Sequence, residues 1–176
     1  ASTGLISVTT PDGTDVTGKK ATNQELKVTL SCSKTNCTYE CAASKGGESA
    51  FGVCSSPVDL PFAMGDGLYT FRARAKDAYG NVDATPAELS ILFDKTAPDT
   101  AINAHPPAVF NLKAAAFGFT CSEPGVLTPE VCEFFCQLDV GTPAPCTSPH
   151  AIANLGDGTH AFAVAARDLL GNTDAT

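Results

Sequence analysis

The sequence predicts an all-β protein made of two tandem Greek-key β-sandwiches of immunoglobulin-like type. Three observations predict it. Apolar residues recur at every second position, one unit of about 90 residues is written twice, and eight cysteines fall four to a unit. No stretch keeps a helical period over 11 residues, and Pro and Gly punctuate the chain as short strands require.

The strands follow in order. "GLISVTTPDG" supplies an opening strand. In "ELKVTLSC", Leu26, Val28, Leu30 and Cys32 share one face, and Lys27, Thr29 and Ser31 share the other. "LYTFRARAKD" turns Tyr69, Phe71, Ala73 and Ala75 inward and Thr70, Arg72, Arg74 and Lys76 outward. "ELSILFD" sets Leu89, Ile91 and Phe93 on one side. In the second half, "AAFGFTC" repeats the inward row as Ala115, Phe117, Phe119 and Cys121. "THAFAVAARD" places His160, Phe162, Val164 and Ala166 inward.

The repeat is visible when Tyr39–Thr85 is set above Phe134–Thr176. Both carry an aromatic residue two positions before a cysteine, then Cys-Ser/Thr-Ser-Pro, Gly-Asp-Gly and Asp-x-x-Gly-Asn-x-Asp-Ala-Thr. Gly80-Asn81 and Gly171-Asn172, 91 residues apart, suit the turn into a last strand, since both residue types tolerate positive φ. The second copy stops at Thr176, before any equivalent of "ELSILFD". That predicts an open sheet edge in the second sandwich. It is explained either by excision from a longer array, which the sequence favours, or by a strand supplied from elsewhere. The "FDKTAPDT" segment ends an apolar strand and sets the boundary, giving domains at 1–96 and 97–176.

These motifs resemble those of bacterial extracellular Ig-like repeats, which are related in style to fibronectin type III modules. The resemblance covers nearly the whole chain in two copies. It departs in the missing last strand and in an N-terminal strand without the usual Ala-Pro lead-in. It implies a sandwich fold, an extracellular setting and a role as stalk, spacer or adhesive module.

Composition narrows the functional classes. A net charge of -8 excludes the Lys/Arg clusters that nucleic acid or an anionic membrane surface demands. No apolar run reaches membrane-spanning length, so no membrane insertion is expected. The N-terminus lacks signal-peptide regions, which suggests a removed signal or an excised fragment.

Eight cysteines in matched sets point to an oxidising compartment, either extracellular, cell-surface or periplasmic. Four cysteines allow three pairings in each unit. Cys41–Cys54 and Cys136–Cys146 are favoured because each pair flanks a hairpin-like segment, which leaves Cys32–Cys37 and Cys121–Cys132. Cys37 and Cys41 lack the CxxC spacing and the histidine that a zinc or redox site would use. No structural metal is therefore expected.

The acidic turns offer Asp77, Asn81 and Asp83, and their copies Asp168, Asn172 and Asp174, as oxygen ligands for calcium. A calcium loop needs more carboxylates, so a hairpin turn bonded by its own side chains is the simpler reading. Asp94 and Asp99 add carboxylates near the boundary. His105, His150 and His160 join no repeated Ser-His-Asp set, so no catalytic residues are expected. The outward row Arg72, Arg74 and Lys76 is basic, whereas its counterpart Ala161, Ala163 and Ala165 is small and apolar up to Arg167. An apolar outer row suits a partner or an added strand.

The expected function is a non-catalytic extracellular module pair of a larger bacterial cell-surface or secreted protein. Its expected partners are other domains of the same chain, a surface protein or a glycan, and a strand pairing at the open edge of the second domain. The alternatives are a specific protein- or glycan-binding module and an accessory domain of a secreted enzyme. The absence of Trp weighs against a glycan platform.

Overall fold

The computed structural model describes residues 1–176 except 61, 64, 124–131 and 176, and of Ile6 only the backbone. Most of the insertion at 122–131 between Cys121 and Cys132 therefore lies outside the described residues. Among the described residues there is no helix. The chain divides into two compact units, Ala1–Lys95 and Thr96–Thr176.

Unit 1 contains β1 (Thr3–Thr9), β2 (Ala21–Thr22), β3 (Leu26–Cys32), β4 (Thr38–Lys45), β5 (Gly52–Cys54), β6 (Val58–Leu60), β7 (Gly67–Lys76) and β8 (Ala87–Phe93). One sheet has the order β1-β3-β6 and the other β2-β8-β7-β4-β5. All pairs are antiparallel except β2 with β8. The alternation seen in the sequence becomes burial. Leu26, Val28 and Leu30 of one sheet face Tyr69, Phe71, Ala73, Ile91 and Phe93 of the other in one cluster of twelve buried residues. The ring of Phe62 stacks on Phe93 at 4.6 Å and meets Tyr69 edge-on at 4.8 Å. Such ring pairs add to the transfer energy of about 2–3 kcal/mol that each buried aromatic contributes.

Unit 2 contains β9 (Asp99–Ala104), β10 (Ala114–Ser122), β11 (Glu133–Leu138), β12 (Ala144–Cys146), β13 (His150–Ala153) and β14 (Phe162–Arg167). Its sheets have the orders β9-β10-β13 and β14-β11-β12. They correspond to β1-β3-β6 and β7-β4-β5. Among the described residues, nothing corresponds to β8 or β2. The buried cluster shrinks to Phe119, Cys136 and Val164.

Disulfides join Cys32–Cys37, Cys41–Cys54, Cys121–Cys132 and Cys136–Cys146. The second and fourth tie hairpin partners β4–β5 and β11–β12 diagonally across the ladder, since Cys41 sits opposite Gly52 and Cys54 opposite Tyr39, and Cys136 sits opposite Ala144 and Cys146 opposite Phe134. The Ser-Pro that follows Cys54 and Cys146 has its own task. Ser56 Oγ accepts from Leu30 N–H at 2.8 Å, and Ser148 Oγ accepts from Phe119 N–H at 2.9 Å. The prolines after both serines are cis.

The last turn is built identically twice. Asp77 N–H donates to Asn81 O at 3.0 Å and Asp168 N–H donates to Asn172 O at 3.0 Å. Gly80 and Gly171 adopt φ of 87° and 93°, a conformation costly for residues with a Cβ. The asparagines contribute differently from the sequence expectation. They have no positive φ, and their side-chain amides donate to Asp77 and Asp168.

A second motif joins the sheets. Ala75 N–H donates to Thr3 Oγ1 at 2.6 Å, while Thr3 N–H donates to Asp83 Oδ2 at 2.7 Å. In unit 2, Ala166 N–H donates to Thr100 Oγ1 at 2.9 Å, and Thr100 N–H donates to Asp174 Oδ2 at 2.9 Å. Each clamp fixes the first strand of one sheet, β1 or β9, to β7 or β14 and the turn that follows it in the other.

One inward position behaves differently. Val164 and Ala166 are buried and Phe162 is half-buried, but His160 is exposed and lies before the start of β14. In unit 1 the equivalent Tyr69 is covered by β8, its cross-strand partner being Ile91. With no strand there in unit 2, the inward row opens to solvent.

Replacing Thr3 or Thr100 by Val removes the acceptor of a partly buried N–H and will cost about 1–3 kcal/mol, measured by denaturant unfolding. Only the unit carrying the change should be destabilised. The Cys41→Ala/Cys54→Ala pair will cost unit 1 about 3 kcal/mol by the chain-entropy relation for a loop of this length.

Candidate functional site

The acidic turns were the first candidates for ligands. Asp77 Oδ1 accepts from the backbone N–H of Tyr79 and Asn81 at 3.0 and 2.9 Å, and Oδ2 accepts from Lys34 Nζ at 2.8 Å. The Lys34 ammonium, then Asn81 and its N–H, hold this carboxyl well below the usual carboxylate range. Asp83 accepts from Thr85 N–H and Thr3 N–H and is lowered to about 2, chiefly by the Thr85 bond and then by Thr3. Asp168 accepts from Leu170 and Asn172 N–H at 2.8 Å each. These oxygens are directed at protein donors and organise the turn itself. Stability from Asp77 and Asp83 is present above the ordinary Asp value and is lost as the pH falls through their depressed folded values.

The ligand atoms of Cys136, Cys146 and His150 lie within 4.8 Å of one another. Both sulfurs are spent in the Cys136–Cys146 disulfide, which removes the thiolates a metal would require.

The outer faces of the two units differ. In unit 1, Arg74 pairs with Glu40 at 2.6 Å, and its guanidinium lies 4.1 Å from the Phe51 ring centroid. Arg72 lies 5.6 Å from the same ring. Arg74 of the basic row is thus satisfied within the sheet. In unit 2, Arg167 repeats the arrangement on Glu133 and Phe135 at 2.6 and 4.6 Å. Ala163 and Ala165 of the alanine row line a depression of about 420 Å³ together with Phe135, Gln137 and Pro143.

The larger feature lies on the inner side. A groove of about 800 Å³ opens between the sheets of unit 2. Phe117, Phe162, Ile152, Leu155 and Leu138 line it, with His160 at one end. Phe117 and Phe162 stack at 4.0 Å to form its floor. Its other wall is 105–113, where Val109 is 90% exposed and Leu112 is 69% exposed. Leu112 and Phe110 therefore present apolar surface to water beside an apolar cleft. The sequence foreshadowed this groove only through the missing strand. The alternation rule does not show that the segment 105–113 also loses its partner.

His160 closes the groove through polar contacts. Its Nδ1 lies 2.9 Å from Asp139 Oδ2 and its Nε2 lies 3.2 Å from Gly156 O. Asp139 also accepts from Ala161 N–H at 2.8 Å. The bond to Asp139, then that to Gly156 O, raises the histidine above its ordinary value, and Asp139 is lowered chiefly by His160. The histidine's contribution is complete below its unfolded value and disappears as the pH rises through the raised folded value. Asp139 contributes above the ordinary Asp range and loses its contribution in acid. Unit 2 should therefore lose stability as the pH rises above the ordinary histidine value, and His160→Gln should flatten that slope in thermal melts.

No model of a known protein family matches the chain, and no curated protein matches it. Among solved structures, the crystal structure of the FN1–FN3 domains of chicken CNTN1 is similar, with 14% sequence identity and a TM-score of 0.38. The match covers 86% of this chain and 57% of that one, so the chain spans little more than half the length of this neighbour.

Proposed function

We propose that this chain is a non-catalytic module pair working outside the cytoplasm as a structural spacer in a larger surface or secreted protein. One observation carries the reading: what the two units share is what holds a sandwich together. The shared cysteines form four bridges, the shared Ser-Pro sets cap a strand, and the shared Asp-x-x-Gly-Asn-x-Asp builds the turn and the inter-sheet clamp. The outward-facing side chains that would recognise a ligand differ, from Arg72 and Arg74 in one unit to Ala163 and Ala165 in the other. Duplication has kept bonds and let surfaces vary, which suits a spacer more than a repeated binding site.

Four disulfides support an oxidising compartment, and the motif resemblance supports a bacterial surface array with an adhesive contribution. The groove of unit 2, where Phe117, Phe162, Ile152 and Leu155 lie beside Asn111, Lys113, Asp157 and His160, supports one further reading, contact with a protein segment.

Acid trapping and thiol labelling of the protein in its own cells tests the location, combined with protease treatment of intact cells. The reading predicts no labelled cysteine and loss of the protein to external protease. Eight labelled cysteines on a protease-protected protein would contradict it.

A further inference from the structure

We propose that the Cys136–Cys146 bridge of unit 2 is a thiol–disulfide exchange site, with His150 as its proton donor and a dithiol as its co-substrate. The exchange is stoichiometric, and the inference rests on this site alone, not on where the chain works.

The two units supply their own comparison. The run "CSSPV" of unit 1, Cys54–Val58, recurs in unit 2 as "CTSPH", Cys146–His150. Val58 sits opposite Val28 on β3, and His150 sits opposite Phe117 on β10. Cys41–Cys54 and Cys136–Cys146 span equivalent hairpins, with Cα atoms 5.7 Å apart in each. In unit 1, Cys41, Cys54 and Val58 all pack against the buried cluster. In unit 2 the place of the valine holds an imidazole, with a ring nitrogen within 4.8 Å of both sulfurs. Among the described residues no other bridge forms such a group.

The packing leaves this imidazole uncommitted. His160 is bonded to Asp139 and to Gly156 O. His150, among the described residues, makes no hydrogen bond through its ring, whose aromatic neighbour is Phe162 at 5.9 Å. It is half-buried, so a proton can reach it from water.

The two sulfurs are not equivalent. Cys146 is half-buried, whereas Cys136 is 7% exposed. A reductant thiolate therefore attacks Cys146 Sγ, and the breaking bond leaves its electron pair on Cys136 Sγ. A thiolate at a buried sulfur is costly without a neighbouring positive charge or a proton. The His150 imidazolium gives its proton to that sulfur, so Cys136 becomes a thiol and Cys146 is held in a mixed disulfide. The second thiol of the reductant then gives its proton to the neutral imidazole and attacks the reductant sulfur bonded to Cys146. Cys146 leaves, takes that proton and becomes a thiol. The imidazole regains from water the proton that the first thiol released. In total, two electrons and two protons pass from the dithiol to the bridge, and the reductant departs as a disulfide. Val58 has no proton to give, so Cys41–Cys54 lacks this path.

The test uses the whole oxidised chain at neutral pH, with dithiothreitol as the dithiol and a metal chelator present. Samples are quenched by alkylation at intervals, and the labelled cysteines are mapped by mass spectrometry. Cys136–Cys146 should open at least about tenfold faster than Cys41–Cys54. His150→Val, which installs the residue of unit 1, and His150→Gln, which keeps a polar side chain, should each slow that opening by about tenfold. Both should leave the unit 1 bridges unchanged. Urea below the unfolding transition separates direct attack from attack after local opening, and direct attack predicts a rate that low urea does not alter. The proposal is overturned if Cys136–Cys146 opens no faster than Cys41–Cys54, or if either His150 variant is reduced as fast as the unmodified chain. It is equally overturned if the rate climbs with urea as steeply as unfolding does.

Discussion

A strand inside a sandwich needs two things at once: a neighbour on each edge for its backbone, and a facing sheet for its apolar row. Strand β7 has both. It is bonded to β4 on one side and β8 on the other, and Tyr69, Phe71, Ala73 and Ala75 are all buried beneath the opposite sheet. The remaining features of unit 1 depend on this arrangement. Phe93 reaches the Phe62–Tyr69 ring cluster only because β8 is in register, and β2 becomes a strand only because β8 offers it an edge. Unit 2 satisfies the constraint on one side of β14 alone. There the buried cluster is smaller, Leu112 is exposed and a groove opens between the sheets.

The two units share one set of bonds. Both retain the bridges, the Ser caps on β3 and β10, and the Thr–Asp clamp. These act on the first, second, third, fourth and sixth strands that the two units share, and none of the bonds is made to β8. The groove changes the chemistry as well. Where Tyr69 gives its hydroxyl proton to Phe62 O or Gly65 O inside a core, His160 forms an ion pair with Asp139 at the surface. A position held by a buried Tyr in one copy is held by a pH-sensitive His in the other.

Much of this was legible in the sequence because period-two alternation and cysteine spacing depend on local geometry. Leu26, Val28, Leu30, Phe71, Ile91, Phe93 and Phe119 are all buried as their spacing implies. The missing last strand could be read from the repeat alone. The Thr–Asp clamp could not. Thr3 and Asp83 are 80 residues apart, and Thr3 and Thr100 are offset from the rest of the repeat, so no periodicity links them. The role of Ser56 and Ser148 was hidden for the same reason, although the repeated Ser-Pro marked the place. The outward fate of His160 escaped because alternation assigns a face but does not show whether anything covers it.

The central claim is that one strand pairing separates a closed sandwich from an open one built on the same bonds. Residue-resolved hydrogen exchange of the unmodified, oxidised chain tests it most directly. The account predicts slow exchange in the centre of β7, around Phe71 and Ala73, and much faster exchange at the equivalent Phe162 and Val164 of β14. Equal protection of the two strands in a monomeric sample would contradict it.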